Sequence, residues 1–273
     1  MRKYLFMIVC LCAQSLLAAV VDTVSIYSDC MHKSTRCVVI VPDDYDLDSS
    51  RFPVVYLLHG YGGNYASWLA VAPQLVQRAD ENQMIIVCPD GGFRSWYLNS
   101  PMDTSFRYET YITEEVIPWI DAGYKTKAEV KSRSITGLSM GGHGALYLAI
   151  RHPDIFGAAG STSGGVDIRQ FTTSWDLKEK ILGDTTCCKQ NWEQHTVMNV
   201  SDQLKLDQLA IIIDCGSSDF FLDVNRALHN KLNQMKIPHE YAELPGEHNS
   251  AYWRSSIDYH LLFFRKFFDS STP

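Results

Sequence analysis

The sequence predicts an α/β domain: a mostly parallel, doubly wound sheet with helices on both faces. Three observations carry this. Residues 53–58, 84–88 and 209–214 are short, nearly continuous apolar runs, the pattern of strands buried on both sides. Longer segments with helical periodicity alternate with them, as crossovers between parallel strands require. Glycine, proline and aspartate clusters, such as Pro89-Asp90-Gly91-Gly92, close the runs.

In chain order, residues 21–28 and 36–41 read as a strand pair, ended by Pro42-Asp43-Asp44-Tyr45. The buried strand 53–58 runs into a glycine-rich loop, His59-Gly60-Tyr61-Gly62-Gly63. A helix over 69–80 is interrupted at Pro73, because proline lacks the N–H that the preceding turn needs. Strand 84–88 follows, then a long helix over 104–120 with Pro118 near its end. Residues 133–136 have strand character and 142–150 helical character. Residues 158–161 form another short strand. From 163 to about 206 periodicity fades, and this stretch is expected to be an insertion over the sheet edge. Strand 209–214, helix 219–235, strand 239–244 and an amphipathic helix over 250–268 complete the domain. Residues 20–273 thus read as one domain.

The chain has 273 residues, 46% of them hydrophobic, enough for one large core. Arg2 and Lys3 precede an apolar run over 5–17 and then Ala18-Ala19, the layout of a cleaved export signal over 1–19. The run is too short to span a bilayer comfortably, so no stable membrane insertion is expected, and the protein is expected outside the cytoplasm, secreted or periplasmic. Removing 1–19 takes the formal net charge from −7 to about −9. No cluster of Lys and Arg stands out, which argues against nucleic acid as a partner. Of the eight cysteines, Cys30 and Cys37 flank a hairpin turn and are expected to pair across it in an oxidising compartment. Cys88 and Cys215 adjoin apolar runs and read as buried thiols, whereas the adjacent Cys187 and Cys188 have no assignment. No Cys/His spacing matches a zinc site, and no cofactor is expected.

Gly137-Leu138-Ser139-Met140-Gly141 carries the chemistry. A Gly-x-Ser-x-Gly turn between a strand and a helix is so tight that it strains the serine and exposes its hydroxyl at the tip of the sheet. A serine hydroxyl needs a base, and the base needs an acid to orient it. The chain order Ser, Asp/Glu, His directs the search downstream. His248 lies in the loop between the last strand and the last helix, at the sheet end that holds the serine, and is the candidate base. His229, His239 and His260 fall within or beside regular elements and read as structural or solvated. Asp214 and Asp219 compete for the acid. Asp214 ends its strand, whereas Asp219 lies in the loop beyond, where catalytic groups collect. Asp219 is therefore preferred, with helix capping as its rival role, one not easily shared by a single side chain. Oxyanion donors are expected from the Met140 amide and, in the glycine-rich loop, the Tyr61 amide. His59 reads as a structural loop residue, and His143 as a group that orders the serine turn. Trp68, Trp96, Tyr97 and Trp253 cluster near the same loops and are candidate substrate-binding rings.

These residues resemble the esterase D-like family of α/β hydrolases, which includes feruloyl and acetylxylan esterases, S-formylglutathione hydrolases, siderophore esterases and the mycolyl-transferring antigen 85 proteins. The resemblance runs from about residue 25 to 267. It rests on His59-Gly60-Tyr61-Gly62-Gly63, Gly137-Leu138-Ser139-Met140-Gly141-Gly142, Asp214-Cys215-Gly216 with Asp219, and Gly246-Glu247-His248 with Tyr252-Trp253. It implies the α/β-hydrolase fold. It also implies a triad of Ser139, Asp219 and His248, which selects Asp219 over Asp214, and oxyanion donors at Tyr61 and Met140. Ser217-Ser218 and Ser250 depart from the residues common in the family, which bears on pocket shape. The expected activity is ester hydrolysis through an acyl-enzyme, removing feruloyl or acetyl groups from plant polysaccharide or its oligosaccharides. Rival readings are an S-formylglutathione hydrolase-like thioesterase, a siderophore esterase, an acyltransferase and a non-catalytic carbohydrate-binding relative.

Overall fold

A computed structural model describes residues 20–47 and 49–270 of the protein; the expected export signal, 1–19, lies outside the described residues. Strand β3 (Val54–Leu58) shows how the sheet is held. All five of its residues are buried. Val54, Tyr56 and Leu58 join one core, while Val55 and Leu57 join another on the opposite face. Side chains alternate along a strand, so an unbroken apolar run fills two cores at once. The same division holds in β2 (Lys33–Val41) and β4 (Ile85–Pro89): Val39 and Val87 face the first core, Ile40 and Ile86 the second.

The remaining strands are β1 (Val20–Ser28), β5 (Arg133–Gly137), β6 (Ala158–Thr162), β7 (Ala210–Gly216) and β8 (Glu240–Leu244). Among the described residues the eight strands form one sheet in the order β1-β2-β4-β3-β5-β6-β7-β8. β1, β2 and β4 pair antiparallel, and from β4 to β8 every pairing is parallel. Helices α1 (Ser67–Val71), α2 (Leu75–Glu81) and α9 (Ser250–Ser270) cover one face, through Trp68, Leu75, Ala79, Ile257, Leu261 and Phe264. The other face is covered by α3 (Tyr108–Thr110), α4 (Ile117–Gly123), α5 (Met140–Arg151) and α8 (Leu222–Gln234). The chain is an α/β hydrolase in fold, with the carboxyl ends of the parallel strands gathered at one edge.

Some boundaries differ from those expected. The helix expected over 104–120 begins at Tyr108, and a wider, π-helical stretch (Tyr111–Val116) separates α3 from α4. Pro118 has no N–H to offer the carbonyl four residues back, so a change of helical pitch just before it is the physical consequence. Between β6 and β7 lie a π-helical segment (Leu177–Leu182), α6 (Lys189–Gln194) and α7 (Val197–Val200). Leu177, Ile181, Trp192 and Val197 from this stretch are buried in the same core as the sheet.

Cys30 and Cys37 do not pair. Ser28 faces Lys33 across the hairpin, so Cys30 falls in the turn, and Cys37 stands opposite Val24. The Cys30 thiol points to the carbonyl of Arg107 at 3.6 Å, and the Cys37 side chain is packed inside. Cys88 and Cys215 are buried thiols. Among the described residues no helix is long and apolar enough to cross a membrane.

Candidate active site

Ser139 sits between β5 and α5 with φ 55° and ψ −117°. A non-glycine residue holds this conformation only when its surroundings impose it. Here the Ser139 amide donates to the Thr162 carbonyl at 3.0 Å, and Gly141 N–H closes the turn onto Leu138 O at 2.7 Å. The helix then starts so close to β3 that a Cβ on Gly141 would lie 2.2 Å from the Leu58 carbonyl oxygen. That contact is why the second glycine of the motif is obligatory.

Two loops from other parts of the sheet meet this turn. The β7–α8 loop carries Asp219 and the β8–α9 loop carries His248. They are stitched to each other by backbone: Ser217 N–H donates to Leu244 O at 2.8 Å, and Ser218 N–H to Gly246 O at 2.9 Å. A Cβ on Gly216 would meet the Gly246 oxygen at 2.6 Å, so this approach also demands glycine. Asn249 accepts from the amides of Ala251 and Tyr252, both at 3.1 Å, and starts α9 directly after His248.

The loops bring three side chains into line. His248 Nε2 lies 3.0 Å from Ser139 Oγ, and His248 Nδ1 lies 2.8 Å from Asp219 Oδ2. The Asp219 side chain is fully buried, whereas that of His248 is 14% exposed. A buried carboxylate beside Nδ1 fixes the proton there and leaves Nε2 bare to face the hydroxyl. Asp219 performs two tasks that the sequence made look exclusive. Its Oδ1 accepts the Phe221 N–H at 2.8 Å, while Oδ2 serves His248. This is a side-chain turn ahead of α8, and it explains why the helix begins at Leu222 and not at 219.

Opposite the hydroxyl, the β3 loop presents its amides. Gly62 N–H is bonded to Phe93 O and Gly63 N–H to Gly60 O, while the Tyr61 amide has no acceptor among the described residues. Met140 is the first residue of α5, so its N–H has no partner within the helix. His59 secures the loop from beneath, with Nδ1–H donating to Gly60 O at 2.8 Å and Nε2 accepting from Gly91 N–H at 2.8 Å. The Tyr61 hydroxyl donates to Asp176 at 3.1 Å, and Arg94 pairs with the same carboxylate at 2.6 Å. Burial and that carboxylate hold the Tyr61 phenol above its usual range.

A cavity of about 380 Å³ opens over Ser139, lined by Tyr61, Leu138, Trp175, Phe220, His248 and Trp253 among others. Of the four rings expected to line it, only Trp253 does, with its indole edge-on to His248 at 5.0 Å. Trp68 is buried and donates through Nε1 to Leu58 O at 3.0 Å. Tyr97 is buried too, and its hydroxyl donates to His59 O at 3.1 Å. Trp96 is buried against His143 and Trp175. These three support the site from behind: each carries apolar area that packing claims, and two carry a donor that finds a backbone carbonyl of β3 or its loop. Sequence reasoning missed Trp175 and Phe220. They stack on each other at 6.1 Å, and Phe220 packs against His248 at 4.2 Å. The position of Phe220 directly after Asp219 was the available signal, whereas Trp175 lies where periodicity fails.

The His143 amide donates to Ser139 O at 3.1 Å, but its side chain is not what orders the serine turn. Its Nε2 bonds to the His195 carbonyl at 2.9 Å, and burial pushes its pKa down to about 4. His260, expected on the surface or in simple packing, is fully buried and paired with Asp214.

The "Putative esterase" family model matches residues 28–264. Esterase Rv1288 of Mycobacterium tuberculosis is 31% identical over 234 residues, which is 77% of this chain and 51% of that protein. The chain therefore spans about half the length of that relative. An acetyl esterase of Caldicellulosiruptor saccharolyticus is 26% identical over 252 residues, covering 86% of this chain and 94% of the other. The solved structure of a ferulic acid esterase superposes with a TM-score of 0.78 at 24% identity, over 92% of this chain and 99% of that one. With the family matched from β1 to α9, over the elements that carry Ser139, Asp219 and His248, the chain belongs to the Esterase family and has the α/β-hydrolase fold.

Proposed function

We propose that this chain is a serine carboxylic ester hydrolase working through an acyl-enzyme. The observation that carries this is the Ser139–His248–Asp219 line, with contacts of 3.0 and 2.8 Å. His248 Nε2 takes the hydroxyl proton as Ser139 Oγ attacks the ester carbonyl. The Tyr61 and Met140 amides receive the oxyanion, each worth roughly 3 kcal/mol of barrier. His248 then protonates the leaving alkoxide, and a water activated by the same nitrogen releases the acid.

The proposed substrate is a feruloyl or acetyl ester of a plant polysaccharide or its oligosaccharides. The cavity supports it by being compact and walled by Trp175, Phe220 and Trp253, flat apolar faces that suit an aromatic acyl group or a sugar. The acetyl esterase relative supports the acetyl alternative. Export belongs to the same proposal, on the strength of the charge and apolar layout of residues 1–19, and is checked by sequencing the amino terminus of protein recovered outside the cytoplasm.

The test compares Ser139→Ala with the unaltered chain on p-nitrophenyl acetate, methyl ferulate, acetylated xylan and S-formylglutathione. Turnover should vanish in the variant, with its unfolding transition unchanged. Full turnover by the variant removes the nucleophile. Preference for the thioester replaces the saccharide reading with the thioesterase one.

A further inference from the structure

Cys187 and Cys188 take no part in the site above. They lie in the turn between the Leu177–Leu182 segment and α6, and their Sγ atoms stand 2.8 Å apart. Asp184 organises that turn. Its backbone carbonyl accepts Cys188 N–H at 2.8 Å and lies 3.5 Å from Cys187 Sγ. One carboxylate oxygen accepts both the amide and the hydroxyl of Thr186 at 2.8 Å, and the other pairs with Lys178 at 2.6 Å. Gly183 adopts φ +81°, and a Cβ there would lie 2.9 Å from Cys188 Sγ. The backbone is thus arranged so that two neighbouring side chains, which ordinarily diverge, turn their sulfurs toward each other.

Access singles out this pair. Cys187 is exposed with Cys188 half-buried beside it, whereas Cys37, Cys88 and Cys215 are buried and Cys30, half-buried as well, has its thiol against the Arg107 carbonyl. A link between adjacent residues closes almost no loop, so it restricts the unfolded chain very little and cannot be a stabilising staple. Exposed, strained disulfides are the exchangeable ones.

We propose that Cys187 and Cys188 form a reversible vicinal disulfide, making this turn a thiol–disulfide exchange site for small-molecule or protein disulfides. The exposed Cys187 thiolate attacks one sulfur of the external disulfide, forms a mixed disulfide and expels one thiolate. The Cys188 thiolate then attacks Cys187 Sγ, closes the ring and expels the second. Two protein thiols are oxidised, one external disulfide is reduced to two thiols, and the two thiol protons pass to the departing thiolates.

The full chain is incubated with oxidised glutathione, alkylated, digested without reduction and analysed by mass spectrometry. The peptide holding both cysteines should be unalkylated, free of glutathione and lighter by two hydrogens, and dithiothreitol should restore both alkylation sites. The Cys188→Ser variant, lacking the resolving thiol, should instead accumulate glutathione on Cys187. Two alkylated cysteines after oxidation, a persistent glutathione adduct on the unaltered chain, or a dimer linked between chains through Cys187 would each overturn the proposal.

Discussion

The imidazole of His260 meets the carboxylate of Asp214 at 2.6 Å inside the core, directly behind the active site. Asp214 also accepts from Thr162 at 2.7 Å, Tyr252 at 2.6 Å and Ser256 at 2.8 Å, and Thr136 Oγ1 lies 2.7 Å from His260 Nδ1. The network joins β5, which leads to Ser139, β7, which leads to Asp219, and α9, which follows His248. The Tyr252 ring also packs under Gly246, two residues before the base. Burial pushes the Asp214 carboxyl up, but His260 and the hydroxyl donors together hold it below the usual carboxylate range. Its folded-state pKa is thus depressed. The stability it contributes is present above about pH 4, the unfolded value, and is lost as pH falls through the folded value.

Asp214→Ala is therefore expected to lower unfolding free energy by about 3–5 kcal/mol, because three hydroxyl donors and a histidine are left unpaired in the core. Denaturant titration at pH 7 measures this. A loss below about 1 kcal/mol would mean that the network is not a structural clamp.

Asp219 invites a paired substitution. In Asp219→Asn the side-chain oxygen still accepts the Phe221 amide, so the turn into α8 survives, but the amide NH2 faces His248 Nδ1 and favours the wrong tautomer. The turnover number for p-nitrophenyl acetate is expected to fall roughly 10⁴-fold with stability nearly intact. Asp219→Ala should lose similar activity and a further 1 kcal/mol or so from the freed Phe221 N–H. Equal stability in the two variants would contradict the double role of this carboxylate.

Gly141→Ala tests the serine turn by packing alone. The added methyl would lie 2.2 Å from a backbone oxygen that cannot move without shifting β3. Loss of soluble folded protein, or a drop in melting temperature with loss of turnover, is expected. Gly123→Ala is the control, since nothing lies within 4 Å of the new methyl. A Gly141→Ala protein as stable and active as the control would show that the turn is looser than its contacts imply.

What could be read from the sequence followed from local physics. The unbroken apolar run of β3 and the Gly-x-Ser-x-Gly turn each announce themselves within a few residues. Ring orientation does not. Trp68 and Tyr97 lie close to the site in sequence, but whether they face the cavity or its back depends on carbonyls of Leu58 and His59 that no local pattern marks. In the sequence Cys30 and Cys37 look as if they flank the hairpin turn, but strand register puts Cys30 inside the turn and Cys37 opposite Val24. Trp175 was invisible for another reason. It lies at φ 55° beside Asp176 at φ 57°, in a stretch held by long-range contacts to Tyr61 and Arg94, where there is no periodicity to read.

That stretch yields the sharpest test of substrate choice. Trp175 stacks on Phe220, and Phe220, 56% exposed, touches both the His248 ring and the cavity. On the proposed feruloyl reading the aromatic acyl group extends onto this wall, whereas an acetyl group has no ring to place there. Trp175→Ala should therefore reduce kcat/KM for methyl ferulate by roughly 5- to 12-fold, the value of one lost ring contact of about 1–1.5 kcal/mol, and leave p-nitrophenyl acetate within about 3-fold. Phe220→Ala should show the same bias with an added fall in turnover number for both esters, because His248 loses the ring that packs against it. An equal loss for the acetyl and feruloyl substrates in Trp175→Ala would mean that this wall supports the site without contacting the acyl group, and the feruloyl reading would lose its structural basis.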